Sequence, residues 1–116
     1  MKLNQIKDIL NATIIFDSTD MEMDIKSACS ADMMSTVMYY HTANSLLITG
    51  LAQPSVVRTA EMAGIKAIVF VLDRKPDENI IGIAREKKIP LLSTPYCMYT
   101  ASGKLFEAGV PSCLGK

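Results

Sequence analysis

Tryptophan is absent, histidine occurs once and cysteine three times in 116 residues, and net charge is zero, with twelve basic and twelve acidic side chains. Each shortage excludes something. Cys29, Cys97 and Cys113 are odd in number and far apart, with no C-x-x-C pair, so neither a disulfide framework nor a zinc or dithiol motif is expected. His41 alone cannot build a histidine-rich metal site. A nucleic-acid module would carry a basic stripe, but here acids and bases interleave, as in Arg85-Glu-Lys-Lys88. The longest apolar run, Ala67 to Leu72, is too short to cross a bilayer, and Met1-Lys-Leu-Asn-Gln5 has no apolar core of a signal peptide. A cytoplasmic protein without membrane or nucleic-acid partners is the expectation.

Hydrophobic residues make up 49% of the chain, enough for one core in one domain spanning residues 1–116. At this size stability is modest, and burial of one face in a dimer would add to it. Eight methionines, several between Met21 and Met38, suit an irregular core or a subunit seam.

The periodicity alternates. Leu3, Ile6, Ile9 and Leu10 predict a helix over 3–10, and Ala12–Phe16 a strand, followed by a polar turn at Asp17–Asp20. Ile25–Ser30 is expected to be extended, and Asp32–Tyr40 helical with Ser30 or Asp32 as its cap. A loop at His41–Asn44 precedes the buried strand Ser45–Thr49, with Gly50 making a sharp turn. Pro54 opens a helix capped by Gln53 or Ser55 and stopped by Gly64, and Lys66–Val71 is a central strand. Pro76 opens a helix facing inward through Ile80, Ile81, Ile83 and Ala84, and Ile89–Ser93 returns as a strand. Thr94 is expected to cap a last helix with Pro95 in its first turn, ending at Gly109 before an irregular tail. Strands alternating with helices imply a three-layer α/β/α sandwich around a mainly parallel sheet.

In such sheets ligands bind outside the carboxyl ends of the strands. Those ends are Cys29–Asp32, Thr49–Leu51, Leu72-Asp73-Arg74 and Ser93–Tyr96, and of them Ser30, Asp32, Thr49, Gly50, Asp73 and Thr94 are the candidate contacts, with Ser55 just inside a helix. Converging helix N-termini there would accept a nucleotide phosphate or other small anion. The plainer reading is that Ser30, Ser55 and Thr94 are ordinary caps, that Thr49-Gly50 is a turn, and that Arg58 faces solvent or pairs with Glu61. Cys29 beside a helix start is either a low-pKa nucleophile or a plain buried thiol. Asp32 and Asp73, if they converge, would suit magnesium. No nucleophile–base pair is readable, so a catalytic role, a cofactor and a resident metal are not expected.

Two stretches resemble a known family. Ser45-Leu-Leu-Ile-Thr-Gly50 continuing to Arg58-Thr-Ala-Glu-Met-Ala-Gly64-Ile-Lys-Ala-Ile-Val-Phe70, and Ala84-Arg-Glu-Lys-Lys-Ile-Pro90-Leu-Leu-Ser-Thr-Pro-Tyr96, resemble the DRTGG domain, as does Ala31-Asp-Met-Met-Ser35. The match runs from about Ile25 to Gly109. DRTGG domains occur as regulatory modules in CBS-domain pyrophosphatases and long phosphotransacetylases, with a fold related to the N-terminal domain of HPr kinase. Single-domain forms, some encoded near iron-only hydrogenases, are what this chain looks most like. The resemblance implies a non-catalytic, dimer-forming regulatory domain. Where relatives carry Asp-Arg near the helix start this chain has Gln53-Pro-Ser55, and where they carry Thr-Gly-Gly it has Val71-Leu-Asp73. Those departures imply a different ligand or a purely structural dimer. The expectation is therefore a homodimeric ligand-sensing module holding a nucleotide or anion with Ser30, Asp32, Thr49, Gly50, Ser55, Asp73 and Thr94. The alternatives are a scaffold using the Met-rich segment with Tyr39 and Tyr40 to hold a partner protein, and a hydrogenase-linked redox regulator using Cys29.

Overall fold

The computed structural model describes residues 1–16, 20–40 and 43–114. Most of the turn at Asp17–Asp20, His41 with its neighbour Thr42, and the last two residues lie outside that set. Five strands form one sheet: β1 (Thr13–Phe16), β2 (Ser27–Ser30), β3 (Ser45–Thr49), β4 (Ala67–Phe70) and β5 (Leu91–Ser93). Their spatial order is β1-β5-β4-β3-β2, with β2 to β5 parallel and β1 antiparallel to β5. The central strands read as apolar runs, Leu46-Leu-Ile48 and Ala67-Ile-Val-Phe70, and every residue of both is buried because both faces of a parallel sheet are covered.

Three helices follow β2, β3 and β4: α2 (Met34–Tyr39), α3 (Pro54–Ala63) and α4 (Glu78–Lys87). Val37, Val56, Val57, Ala60, Ile80 and Ala84 of these helices pack with Leu47, Ile68, Phe70 and Leu91 on one face of the sheet. On the other face, α1 (Leu3–Ile9) and α5 (Met98–Glu107) place Leu3, Ile6, Ala101 and Leu105 against Leu46, Ile48, Val69 and Leu92. The molecule is thus the expected three-layer α/β/α sandwich. Strands β2 to β5 are laid down in a single direction, so no reversal of strand order opens a crevice within them.

Helix ends follow local chemistry, with instructive shifts. Pro54 stands in the first turn of α3, and Gly64 closes it with a left-handed φ of 76°. The helix expected from Pro76 starts later, because the Asp77 side chain accepts from Ile80 N at 3.0 Å and serves as the cap. The last helix begins at Met98 instead of Pro95. Thr94 Oγ1 accepts from Tyr96 N, and Tyr96 O accepts from Leu72 N, which holds residues 94–97 in a bend. The tail is more ordered than expected: Ser112 bridges Ala28 in parallel fashion, extending the sheet beyond β2.

Candidate functional site

The carboxyl ends of β2 and β3 bring Asp32, Thr49 and Gly50 together. Asp32 Oδ1 accepts from the Thr49 hydroxyl at 3.0 Å and from Gly50 N at 2.7 Å. This explains why neither Ser30 nor Asp32 caps α2, whose N-cap is Met33 without a side-chain bond. The Asp32 carboxylate occupies the backbone donor that an anion would otherwise take. A Cβ on Gly50 would lie 3.5 Å from Val71 Cγ2 and 3.6 Å from Asp32 Oδ1, so glycine keeps the floor open here.

Opposite them, the chain leaving β4 makes an unusual turn. Leu72 and Asp73 both adopt left-handed backbone, φ 57° and 56°. That conformation is costly for residues with a Cβ. It is over-determined by four hydrogen bonds: Leu72 N to Tyr96 O, Asp73 N to Thr94 O, Arg74 N to Val71 O, and Ser93 Oγ to Arg74 O. Leucine and aspartate therefore stand where glycine fits best, at the positions where the resemblance gives Gly-Gly. The turn carries Leu72, 55% exposed, and Arg74 to the rim of a cleft.

That cleft encloses about 350 Å³ and is lined by Asp32, Gly50, Leu51, Val71, Leu72, Arg74 and Met98. It offers one carboxylate, one guanidinium and four apolar side chains. Among the described residues, no ion pair joins Arg74 to a carboxylate.

The other expected site residues fall elsewhere. Ser30 pairs its hydroxyl with Ser102 at 2.6 Å and lines a second groove. Ser55 is exposed in the first turn of α3 and lines neither opening. Thr94 is fully buried, its hydroxyl donating to Leu10 O at 2.6 Å, so it ties β5 to the end of α1. Asp73 lines neither opening, which separates it from Asp32. Among the described residues no group of three or more His, Cys, Asp or Glu gathers as a metal cluster. Glu61 pairs with Lys87 of α4 at 3.3 Å, and Arg58 is exposed to solvent. Leu72 and Arg74, readable as part of the β4 end but not among the expected contacts, and Met98, which the sequence reading did not place at a strand end, face the cleft through the left-handed turn and the delayed start of α5.

The second groove, about 470 Å³, runs along the β2 edge between α5 and the tail, past Cys29, Tyr99, Phe106 and Cys113. Burial pushes the Cys29 thiol up to about 12, reinforced by Cys113 beside it, which removes the low-pKa nucleophile and leaves a buried thiol. Cys97 behaves oppositely. It is the exposed N-cap of α5, and the Thr100 hydroxyl 3.4 Å from its sulfur holds the thiol below its ordinary value.

No helix among the described residues is long and apolar enough to cross a membrane. A search of curated proteins finds no match to the chain. Among solved structures, the chain is similar to the CBS and DRTGG domains of the regulatory region of Clostridium perfringens pyrophosphatase, complexed with the activator diadenosine tetraphosphate. The TM-score is 0.75 and identity 18%, over 90% of this chain but 45% of that one, so this chain spans less than half of that relative's length. The DRTGG domain model matches residues 5–108, nearly the whole chain from within α1 to just past α5, and the chain belongs to the DRTGG domain family.

Proposed function

We propose that this chain is a non-catalytic regulatory module that senses a nucleotide in the cleft between the ends of β3 and β4, and that it works as a homodimer. The carrying observation is the cleft's lining: a carboxylate held in place, a guanidinium outside any described ion pair, and apolar walls within about 350 Å³. Small-molecule sites of roughly 300–1,000 Å³ typically combine apolar walls with a few fixed polar groups. Arg74 suits a phosphate, Leu51, Leu72 and Met98 suit the faces of a base, and Asp32 suits a ribose hydroxyl or base N–H as acceptor. Thr49 and Gly50 act through Asp32 by fixing its orientation.

The structural relative's regulatory region binds diadenosine tetraphosphate as activator, which supports the same class of ligand here. The size of the cleft favours one nucleotide unit, free or as one end of a dinucleotide. Ser30, Ser55, Asp73 and Thr94 are left out of the proposed contacts, since none lines this cleft.

The reading is tested by a thermal-shift panel with AMP, ADP, ATP, diadenosine tetraphosphate and phosphate. A ligand at a hundred times its Kd should stabilise the fold by about 2.7 kcal/mol, and Arg74→Gln should abolish that gain without lowering the unliganded midpoint. A flat panel would remove the nucleotide reading and favour a scaffold. The exposed apolar side chains Met33, Met38 and Tyr39 at and beside α2 support the dimer.

A further inference from the structure

The C-terminal tail meets the edge of β2 in a defined register. Ala28 N donates to Pro111 O at 3.0 Å and Cys113 N donates to Ala28 O at 3.1 Å, which makes Ala28 and Ser112 a parallel bridged pair. In parallel register the next pair is Cys29 with Cys113. Side chains of paired residues leave the same face of a parallel sheet, and both cysteines do so: each packs in the layer with Val37 and Leu47, whereas Ala28 packs in the opposite layer. Adjacent strands lie about 4.8 Å apart, inside the Cα separation of about 4.4–6.8 Å that a disulfide spans. Both thiols are free and both line the 470 Å³ groove, which gives a small reagent access to them.

We infer that Cys29 and Cys113 form a reversible intramolecular disulfide that clasps the tail to the edge of the sheet. The oxidant is a small-molecule disulfide, and the step is thiol–disulfide exchange. Cys113, the less buried thiol, attacks first as its thiolate, forming a mixed disulfide and releasing one small thiolate. Cys29 then loses its proton to solvent base and attacks the Cys113 sulfur, expelling the second small thiolate. Two protein thiols are oxidised and one small disulfide is reduced to two thiols. Because burial and Cys113 hold the Cys29 thiol high, the second step is the slow one and quickens with rising pH. The bond closes most of the chain into one loop, so the oxidised form should melt higher by on the order of ten degrees. This inference does not rest on the nucleotide reading.

The test treats the Cys97→Ser protein, which lacks the exposed competitor, with oxidised glutathione at pH 8.5 or so. Expected are an intact mass lower by two hydrogens, a non-reduced peptide joining Cys29 to Cys113, a raised melting midpoint, and reversal of all three by dithiothreitol. Adding Cys113→Ser, a half-buried tail position whose replacement leaves the core intact, should abolish the mass loss and the gain in midpoint. A glutathione adduct that persists on Cys113, or two thiols still free after prolonged treatment, would overturn the inference.

Discussion

At the scale of single residues, the turn after β4 concentrates backbone strain. Leu72 and Asp73 sit in left-handed backbone where each side chain costs roughly 1 kcal/mol or more. Leu72→Gly should therefore raise stability by about 1 kcal/mol, measured as a higher urea midpoint, while weakening nucleotide binding because the exposed leucine walls the cleft. A lower midpoint would contradict the strain at Leu72. The thiols provide a second residue-scale prediction. The Cys29 pKa is raised in the folded state from an ordinary 9.0 to about 12, so the native protein binds more protons than the unfolded chain between those values. Stability should then be intact below pH 9 and fall as pH rises toward 12, and Cys29→Ala should flatten that slope. Alkylation should reach exposed Cys97 first and Cys29 last.

Between elements, one buried hydrogen bond joins the sheet to the helix layer at the carboxyl end of β5. Thr94, fully buried at the end of β5, donates to Leu10 O and so anchors the end of α1. Thr94→Val keeps the shape but leaves the Leu10 carbonyl without its donor and Tyr96 N without its acceptor, and should cost about 1–3 kcal/mol in denaturant unfolding. The sequence pattern casts Thr94 as a helix cap, because Thr before Pro commonly caps a helix, but the N-cap of α5 is Cys97. The actual partner of Thr94 is far away in the chain and could not be read locally. The same limit explains α2, where Asp32 turns to Gly50 across the sheet instead of capping its own helix. By contrast, β3, α3 and the Gly64 stop were readable in full, since apolar runs, a first-turn proline and a left-handed glycine are local signals. Asp32, Thr49 and Gly50 were also legible, as residues at strand ends. Arg74 was readable at the β4 end but not as a contact, and Met98 not at all, because their approach to the cleft depends on an unusual turn and a delayed helix start.

For the whole molecule, strands added in one direction put α2, α3 and α4 on one face and α1 and α5 on the other. The openings are consequently at the strand ends and at the β2 edge. The outer surface at α2 exposes Met33 at 66%, Met38 at 45% and Tyr39 at 83%. If the domain dimerises through this surface, Met38→Glu with Tyr39→Glu should shift its mass in solution from dimer to monomer while leaving the circular dichroism unchanged. A dimer that persists would place the seam elsewhere.

The most direct measurement is an amide NMR titration of the 116-residue chain with AMP and with diadenosine tetraphosphate. The account predicts saturable shifts at Gly50, Leu51, Leu72 and Arg74, lost in Arg74→Gln. Shifts gathered instead around Ala28 and Ser112, or none at all, would contradict it.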